Sequence, residues 1–326
     1  MAASTSLPVD GAPSDDSVLP FNTVRSGMTG RIVRLGAVAN TILSRHDYPL
    51  PVSEVLGEAL ALTAMLGASL KFDGGLTVQS HSDGPVGLLV TSYESPGRVR
   101  GYASFDADRI AAAPGDERPD VAMIGQGHLA LTIDPGAQMD RYQGIVALED
   151  GDLTGAAHRY FRNSEQLPTF IRLAVARHRT PGREGGDDGW QWRAGGLIVQ
   201  HVAPLGGNRP EHGDDDSGLL FGEDDDHWRR VEMLAGTVED HELLDPTLAP
   251  ERLLYRLFHE EGVRVAPATP IEVYCRCSRQ RVASFLKTFE GDDISELRDE
   301  AGNVTVTCEF CNTSYSFSPE ACGSAE

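Results

Sequence analysis

Between Glu54 and Lys71 the apolar side chains Val55, Leu56, Ala59, Leu60, Leu66 and the small polar Thr63 recur at helical spacing, and Ser53 stands where an N-cap belongs. This predicts a core helix. From Leu76 the pattern shortens to runs rich in β-formers, separated by Ser82-Asp83-Gly84-Pro85 and by Ser95-Pro96-Gly97, which is turn chemistry. An antiparallel meander follows. His128 to Ile133, Gly144 to Leu148, Phe170 to Val175 and Leu197 to Val202 read as further strands, and Leu153 to Asn163 as a helix. The expected class is α+β: an N-terminal mixed domain with an antiparallel sheet, a helical linker and a small C-terminal module.

After Pro204 the pattern breaks. Glu211 to Asp226 carries eight carboxylates and no Lys or Arg, so it repels itself and is expected to be extended or weakly structured. Val231 to Leu244 and Pro250 to Glu261 then read as helices. In the second, Leu253, Leu254, Leu257 and Phe258 form one apolar stripe, and Pro250 suits a first helical turn. Such a stripe must be covered, and the sheet of the large domain is the available surface. The expected divisions are a disordered tail over 1–20, a core domain over 21–204, an acidic linker with helices over 205–270 and a terminal module over 271–326.

Composition changes this picture only at the margins. With 326 residues, 40% hydrophobic, the chain suits two folded domains. A net charge of −21 removes the cationic footprint that phosphate backbones require, so no nucleic-acid partner is expected. The run Val55 to Leu70 is interrupted by Glu58, and the N-terminus lacks the basic and apolar regions of a secretory signal. No membrane span is expected, and a cytoplasmic location is.

The cysteines carry the chemistry. All five (Cys275, Cys277, Cys308, Cys311 and Cys322) fall in the last 52 residues. Cys275-Arg-Cys277 and Cys308-Glu-Phe-Cys311 make a C-x-C and a C-x-x-C separated by 30 residues, a set of four thiolates suited to one tetrahedral zinc. The C-x-C half can chelate zinc and is also poised to close into a small disulfide ring. Two readings stay open at this point: a closed site that staples a module too small to hold a core, and a redox device in which oxidised sulfurs lose the metal. Cys322, near the terminus, reads as an ordinary exposed thiol.

These motifs resemble the redox-regulated 33 kDa chaperonin family, heat shock protein 33. The resemblance rests on the cysteine spacing, on Leu253-Leu-Tyr-Arg-Leu-Phe-His-Glu-Glu-Gly262 before it and on Ser278-Arg-Gln-Arg281 within it. It extends through Gly30-Arg-Ile-Val-Arg-Leu-Gly36, Glu58-Ala-Leu-Ala-Leu62, Gly127-His-Leu-Ala130, Arg141-Tyr-Gln-Gly-Ile-Val146, Ser164-Glu-Gln166 and Arg193-Ala-Gly-Gly196. The N-terminal extension, the acidic insertion and Cys322 depart from the family pattern. The resemblance implies an ATP-independent holdase that binds unfolded client proteins under oxidative stress and is no enzyme. It implies one zinc on Cys275, Cys277, Cys308 and Cys311 in the inactive reduced form, and disulfides Cys275 with Cys277 and Cys308 with Cys311 in the active form. It further implies release of the helix bearing Leu253, Leu254, Leu257 and Phe258, and a homodimer when active.

Other classes fit less well. A zinc ribbon for nucleic acid is opposed by ten acidic against five basic residues over 271–326. A thioredoxin-like oxidoreductase needs its C-x-x-C at a strand-to-helix junction, whereas here Val304 to Thr307 and Ser314 to Phe317 are strand-like on both sides. Gly125-Gln-Gly127-His-Leu-Ala130 spells a dinucleotide fingerprint, but the residues after it read as a strand rather than the required helix, so it is expected to be a glycine turn. His46, His128 and His158 read as structural residues.

Overall fold

The computed structural model describes residues 15–112, 123–136, 140–149, 151–179, 189–202, 223–289, 298–299 and 302–318. In chain order the first half contains β1 (Ser17–Thr23), β2 (Thr29–Leu35), α1 (Ala37–Leu43), α2 (Leu50–Gly67), β3 (Gly75–Ser82), β4 (Leu88–Glu94), β5 (Arg98–Ser104), α3 (Ala107–Ala112), β6 (Gly127–Asp134) and β7 (Tyr142–Leu148). There follow α4 (Leu153–Tyr160), β8 (Thr169–Arg179), β9 (Trp190–Gln200), α5 (Glu223–Gly236), α6 (Asp240–Leu244), α7 (Pro250–Phe258), β10 (Val263–Val265), β11 (Thr269–Pro270), β12 (Glu272–Val273), α8 (Arg279–Leu286), β13 (Val304–Thr307) and β14 (Ser314–Phe317).

The strands make two six-stranded sheets and one hairpin. The first sheet runs β10-β1-β2-β9-β8, with β11 also on β1; the second runs β12-β5-β4-β3-β6-β7. Every pairing is antiparallel except that of β12 with β5. Helix α2 lies between the two sheets, against β2, β8 and β9 on one side and β3, β4 and β5 on the other. Its position explains its sequence. A helix walled in by two sheets is apolar nearly all round, and α2 is the candidate among the described residues with the length and hydropathy to cross a membrane, yet 78% of it is buried inside the fold.

Two glycines set the spacing of these layers. A Cβ on Gly67 would sit 2.1 Å from Tyr93 Cγ of β4, and one on Gly57 would sit 2.8 Å from Val175 of β8. The helix therefore reaches both sheets at backbone distance. Inside the same layer, the hydroxyls of Thr63 and Thr91 satisfy each other at 2.6 Å.

The first sheet is apolar on both faces. Val18, Val33 and Ile198 point toward α2, whereas Leu19, Phe21, Ile32, Leu197 and Val199 point away from it, into a second core made with α5, α6 and α7. The mixed class, the meander and its two turns agree with expectation. Gly125 has a positive φ of 72° and leads directly into β6, so the dinucleotide-like string is a glycine turn.

Several local readings are corrected. The central helix starts at Leu50 rather than Glu54, because Pro51 fits its first turn, and it ends at Gly67. Ser53 is consequently inside the helix, buried, and its hydroxyl has no partner. The segment Val231 to Leu244 is two helices, because α5 stops at Gly236 and Glu239 opens α6 with a reciprocal capping box to Glu242. The end of the acidic run, 223–226, is helical rather than extended: carboxylates favour a helix N-terminus, and Asp225 pairs with Arg229 at 2.8 Å. Helix α4 passes into a π-helical turn, Phe161–Glu165, ended by left-handed Gln166. Residues 17–20, read as tail, are the first half of β1, whose Val18 and Leu19 are core residues. The acidic residues 211–222 and Cys322 lie outside the described residues.

Gly67→Ala is expected to lower unfolding stability by about 1–3 kcal/mol, the usual cost of overpacking. Urea titration of the two proteins measures this; an unchanged midpoint would mean that Tyr93 yields freely.

Candidate metal centre and the docked linker

Among the described residues the terminal module is built on little core: Leu286, Val304 and Phe317 are its fully buried apolar residues, flanked by Val282, Ala283, Phe289, Val306 and Tyr315. Ser278 caps α8 by accepting a hydrogen bond from the Arg281 amide at 3.2 Å. The hairpin β13–β14 reverses through the C-x-x-C itself. There the Cys308 amide donates to Thr313 O at 3.0 Å, the Asn312 amide donates to Cys308 O at 2.8 Å, and Asn312 adopts a φ of 56°. Such a turn aims both sulfurs to one side, toward the extended C-x-C segment that leads into α8.

All four expected residues meet there. The sulfurs of Cys275, Cys277, Cys308 and Cys311 lie within 4.8 Å of one another, with Cys275 to Cys308 at 3.6 Å and Cys277 to Cys311 at 3.2 Å. They are free thiols and partly buried. A zinc–sulfur bond of about 2.3 Å sets a tetrahedral edge of roughly 3.8 Å, so the donor set and its spacing fit that ion. Four thiolates this close repel, which makes a cation the natural partner. The environment treats the sulfurs unequally. Burial pushes Cys275 up to about 12 and also raises Cys277. Burial opposes ionisation of Cys311 too, but its hydrogen-bond contacts with Thr313 and Cys277 outweigh it and bring that thiol down to about 6.

The module rests on the second sheet through side chains that adjoin the cysteines. Phe310, inside the C-x-x-C, lies under the Arg100 guanidinium at 4.1 Å and beside the Tyr102 ring at 6.2 Å. Arg276, inside the C-x-C, pairs with Glu94 at 3.1 Å, and Arg98 covers the Tyr274 ring at 4.5 Å. The Asn312 side chain donates to Arg45 O at 2.8 Å.

The stripe of α7 is where the sequence placed it, against a sheet. Leu253, Leu254 and Phe258 are fully buried and Leu257 nearly so, and the Phe258 ring stacks on Phe21 at 5.5 Å. Trp228, Val231, Ala235, Val238 and Leu243 complete that layer. Two arginines that sequence reasoning missed hold it. Arg34, 2% exposed, donates to Glu242 O at 2.9 Å and to Leu248 O; Arg193 donates to Leu244 O at 2.7 Å and to the Asp15 carboxylate at 2.6 and 2.8 Å. Their only sequence signal was charge within apolar strands. Glu261, nearly buried, accepts from Arg230 at 2.6 Å, which closes the end of α7 onto α5.

The chain's relatives agree with this architecture. The family model described as Hsp33 protein matches residues 16–318. The 33 kDa chaperonin of Caulobacter vibrioides is 40% identical over 317 residues, which cover 97% of this chain and 99% of that protein. The 33 kDa chaperonin of Shewanella woodyi is 34% identical over 304 residues, 93% of each. The crystal structure of the heat shock protein 33 homolog of Thermotoga maritima superposes with a TM-score of 0.73 at 24% identity, over 94% of this chain and 96% of that one, which is a likeness of fold. By family match and by identity along nearly its whole length, the chain belongs to the Hsp33 family.

Proposed function

We propose that the chain is a redox-gated, ATP-independent holdase that binds unfolded proteins, as the chaperonin names of its relatives support. The observation that carries this reading is the four-sulfur cluster on a module with little core of its own among the described residues, attached to a linker that covers an apolar sheet face. Zinc on Cys275, Cys277, Cys308 and Cys311 would supply a cross-link worth on the order of 10 kcal/mol to the module. Oxidation of four thiolates to the disulfides Cys275 with Cys277 and Cys308 with Cys311 removes four electrons and leaves no metal ligand.

The module then loses its fold and its seat on the second sheet. Phe310 and Arg276 leave Arg100, Tyr102 and Glu94, and strand β12 leaves β5. The same chain continues backward into β11 and β10, which pair with β1, and then into α7. Loss of these pairings frees α7 and exposes Leu19, Phe21, Ile32, Leu197 and Val199, an apolar face of the kind that binds non-native chains. The active form is a homodimer in this proposal, it works in the cytoplasm, and it catalyses no reaction. A permanently closed zinc staple is the second reading, favoured only by the smallness of the module's core.

In a test with hypochlorite or warm peroxide, about one zinc per chain should leave as two disulfides form. Suppression of aggregation of a heat-denatured enzyme, without ATP, should appear only then. Protection that is equal before and after oxidation would leave the staple reading. A linker variant separates the two further: Phe258→Ala should weaken docking by about 3–5 kcal/mol and give protection while the protein is still reduced and zinc-loaded. Calorimetry in buffers of different ionisation enthalpy should show at least two protons released per zinc bound at pH 7, since Cys275 and Cys277 are raised and must lose theirs. Those protons compete with the metal, so affinity should rise with pH; a pH-independent affinity would contradict the assignment.

A further inference from the structure

Leu76, Val78, Tyr93 and Val99 of the second sheet face the core around α2, so their neighbours in the strands stand on the sheet's other face, in cross-strand rows. In one row Arg98 of β5 lies opposite Glu94 of β4, Glu94 opposite Gly75 of β3, and Gly75 opposite Asp134 of β6. Gly75 leaves a gap in that row. Among the described residues a Cβ there would meet only the Tyr93 carbonyl oxygen, at 3.3 Å. The gap is a cavity of about 60 Å³, and Arg98, Arg100 and Arg276 line it.

The charges around the cavity do not balance. Glu94 accepts from Arg98 Nη2 at 3.0 Å and from Arg276 Nε at 3.1 Å, one oxygen for each, so two guanidiniums share one carboxylate. Asp134 is taken by Arg141, 2.9 Å away. Among the described residues Arg100 has no carboxylate partner, and its guanidinium lies over the Phe310 ring at 4.1 Å. Arg98 Nε is buried without a hydrogen-bond partner. Four guanidiniums therefore stand against two carboxylates, an excess of two positive charges in a chain whose net charge is −21. A partly buried excess of cation calls for an anion.

Size and charge narrow the choice. Guanidinium forks suit phosphate oxygens, and one phosphate carries up to two negative charges, which meets the excess. At roughly 10–15 Å³ for each water-sized group, the cavity takes about four to six such groups, and phosphate has five heavy atoms. The wider mouth, about 350 Å³, adds Asp73, whose carboxylate opposes a larger or multiply charged anion there. We propose that the gap at Gly75 binds the free phosphate ion, held by Arg98 and Arg100 of β5 and by Arg276 of the terminal module.

The site is complete only while the module is seated. Strand β12 is held on β5 by the Glu272 amide donating to Gly97 O and the Tyr274 amide donating to Val99 O, both at 2.9 Å, and Arg276 follows two residues on. A ligand that binds the seated arrangement alone stabilises it by mass action. Phosphate is a second tie on the module, separate from the sulfur ligands, and it stands whether or not the module is redox-gated.

The test is isothermal titration of the reduced full-length protein with phosphate, at an ionic strength fixed by potassium chloride, which should show one saturable site per chain. Arg98→Gln and Arg276→Gln should each weaken binding about tenfold or more, the loss of one charge-assisted hydrogen bond. Gly75→Val should abolish it with every charge retained, and Arg229→Gln, which removes a charge from α5 outside the site, should leave it unchanged. At ten times its Kd, phosphate should slow hydrogen exchange of the Glu272 and Tyr274 amides about tenfold. No saturable binding, or binding that Arg229→Gln weakens as much as Arg276→Gln does, means an adventitious ion only and overturns the site. Binding that survives Gly75→Val overturns its location, and binding without added amide protection overturns the part given to Arg276. Tighter binding of glycerol phosphate than of phosphate overturns the assignment to the free ion. Should Arg98→Gln fail to fold, Arg276→Gln and the amide protection of the unaltered protein decide.

Discussion

A sheet that is apolar on both faces is stabilised by having both covered, and the rest of this structure is arranged around that constraint. One face of the first sheet is covered by α2, which is walled in on its far side by the second sheet and so has no freedom to leave. The other face is covered by α5, α6 and α7, which have solvent behind them. Equal chemistry on the two faces therefore yields unequal permanence. Burial of each large side chain of α7 contributes roughly 1.5–3 kcal/mol, but only for as long as the helix is kept in place.

What keeps it in place is a set of polar contacts gathered at one corner. Arg34 and Arg193 are buried in the strands and donate to the carbonyls of Glu242, Leu244 and Leu248. Asp15 neutralises Arg193, and its neighbour Asp16 accepts from the amides of Gly36, Ala37 and Val38 while its own carbonyl receives the amide of Ile271. The start of the terminal module and the linker are thus joined through two adjacent residues. Buried charges of this kind are costly when unpaired, so the corner comes apart as a unit or not at all.

The parts of this arrangement visible in the sequence are those written in local pattern. The stripe Leu253, Leu254, Leu257 and Phe258, the hairpin flanking Cys308 and Cys311, and the meander from Gly75 are each carried by neighbours in the chain. What escaped is carried by residues distant in sequence. The first half of β1, residues 17–20, reads as tail because Pro20 interrupts a short apolar run, and the strand's pairing with β2, β10 and β11 is not local. Arg34 reads as an ordinary surface charge until its carbonyl partners, more than 200 residues away, are known. Ser53 looked like a cap because the capping chemistry is right; proline at the true start of α2 made it unnecessary. Phe310, Thr313 and Tyr315 lay in plain sight beside the cysteines, but a sequence does not state which side chain reaches which sulfur.

The sizes of the cores decide how far a change at the cysteines can spread. Among the described residues the module has three fully buried apolar residues in its cluster, whereas each of the other two clusters has several times that number. In the proposed mechanism a metal contribution on the order of 10 kcal/mol exceeds what so small a core supplies, and the module would stand or fall with its sulfur ligands. The layer formed by α2 and the two sheets has a large core of its own, distinct from the module's. Between these extremes lies the linker, whose apolar burial is substantial but whose C-terminal anchor, from β10 to β12, is the same stretch of chain that enters the module. In the proposal an element so placed is bistable: loss of four ligands some distance away would remove its anchor without touching the surface beneath it. That apolar surface, backed by the core around α2, is what a partly unfolded protein would meet in the proposed mechanism.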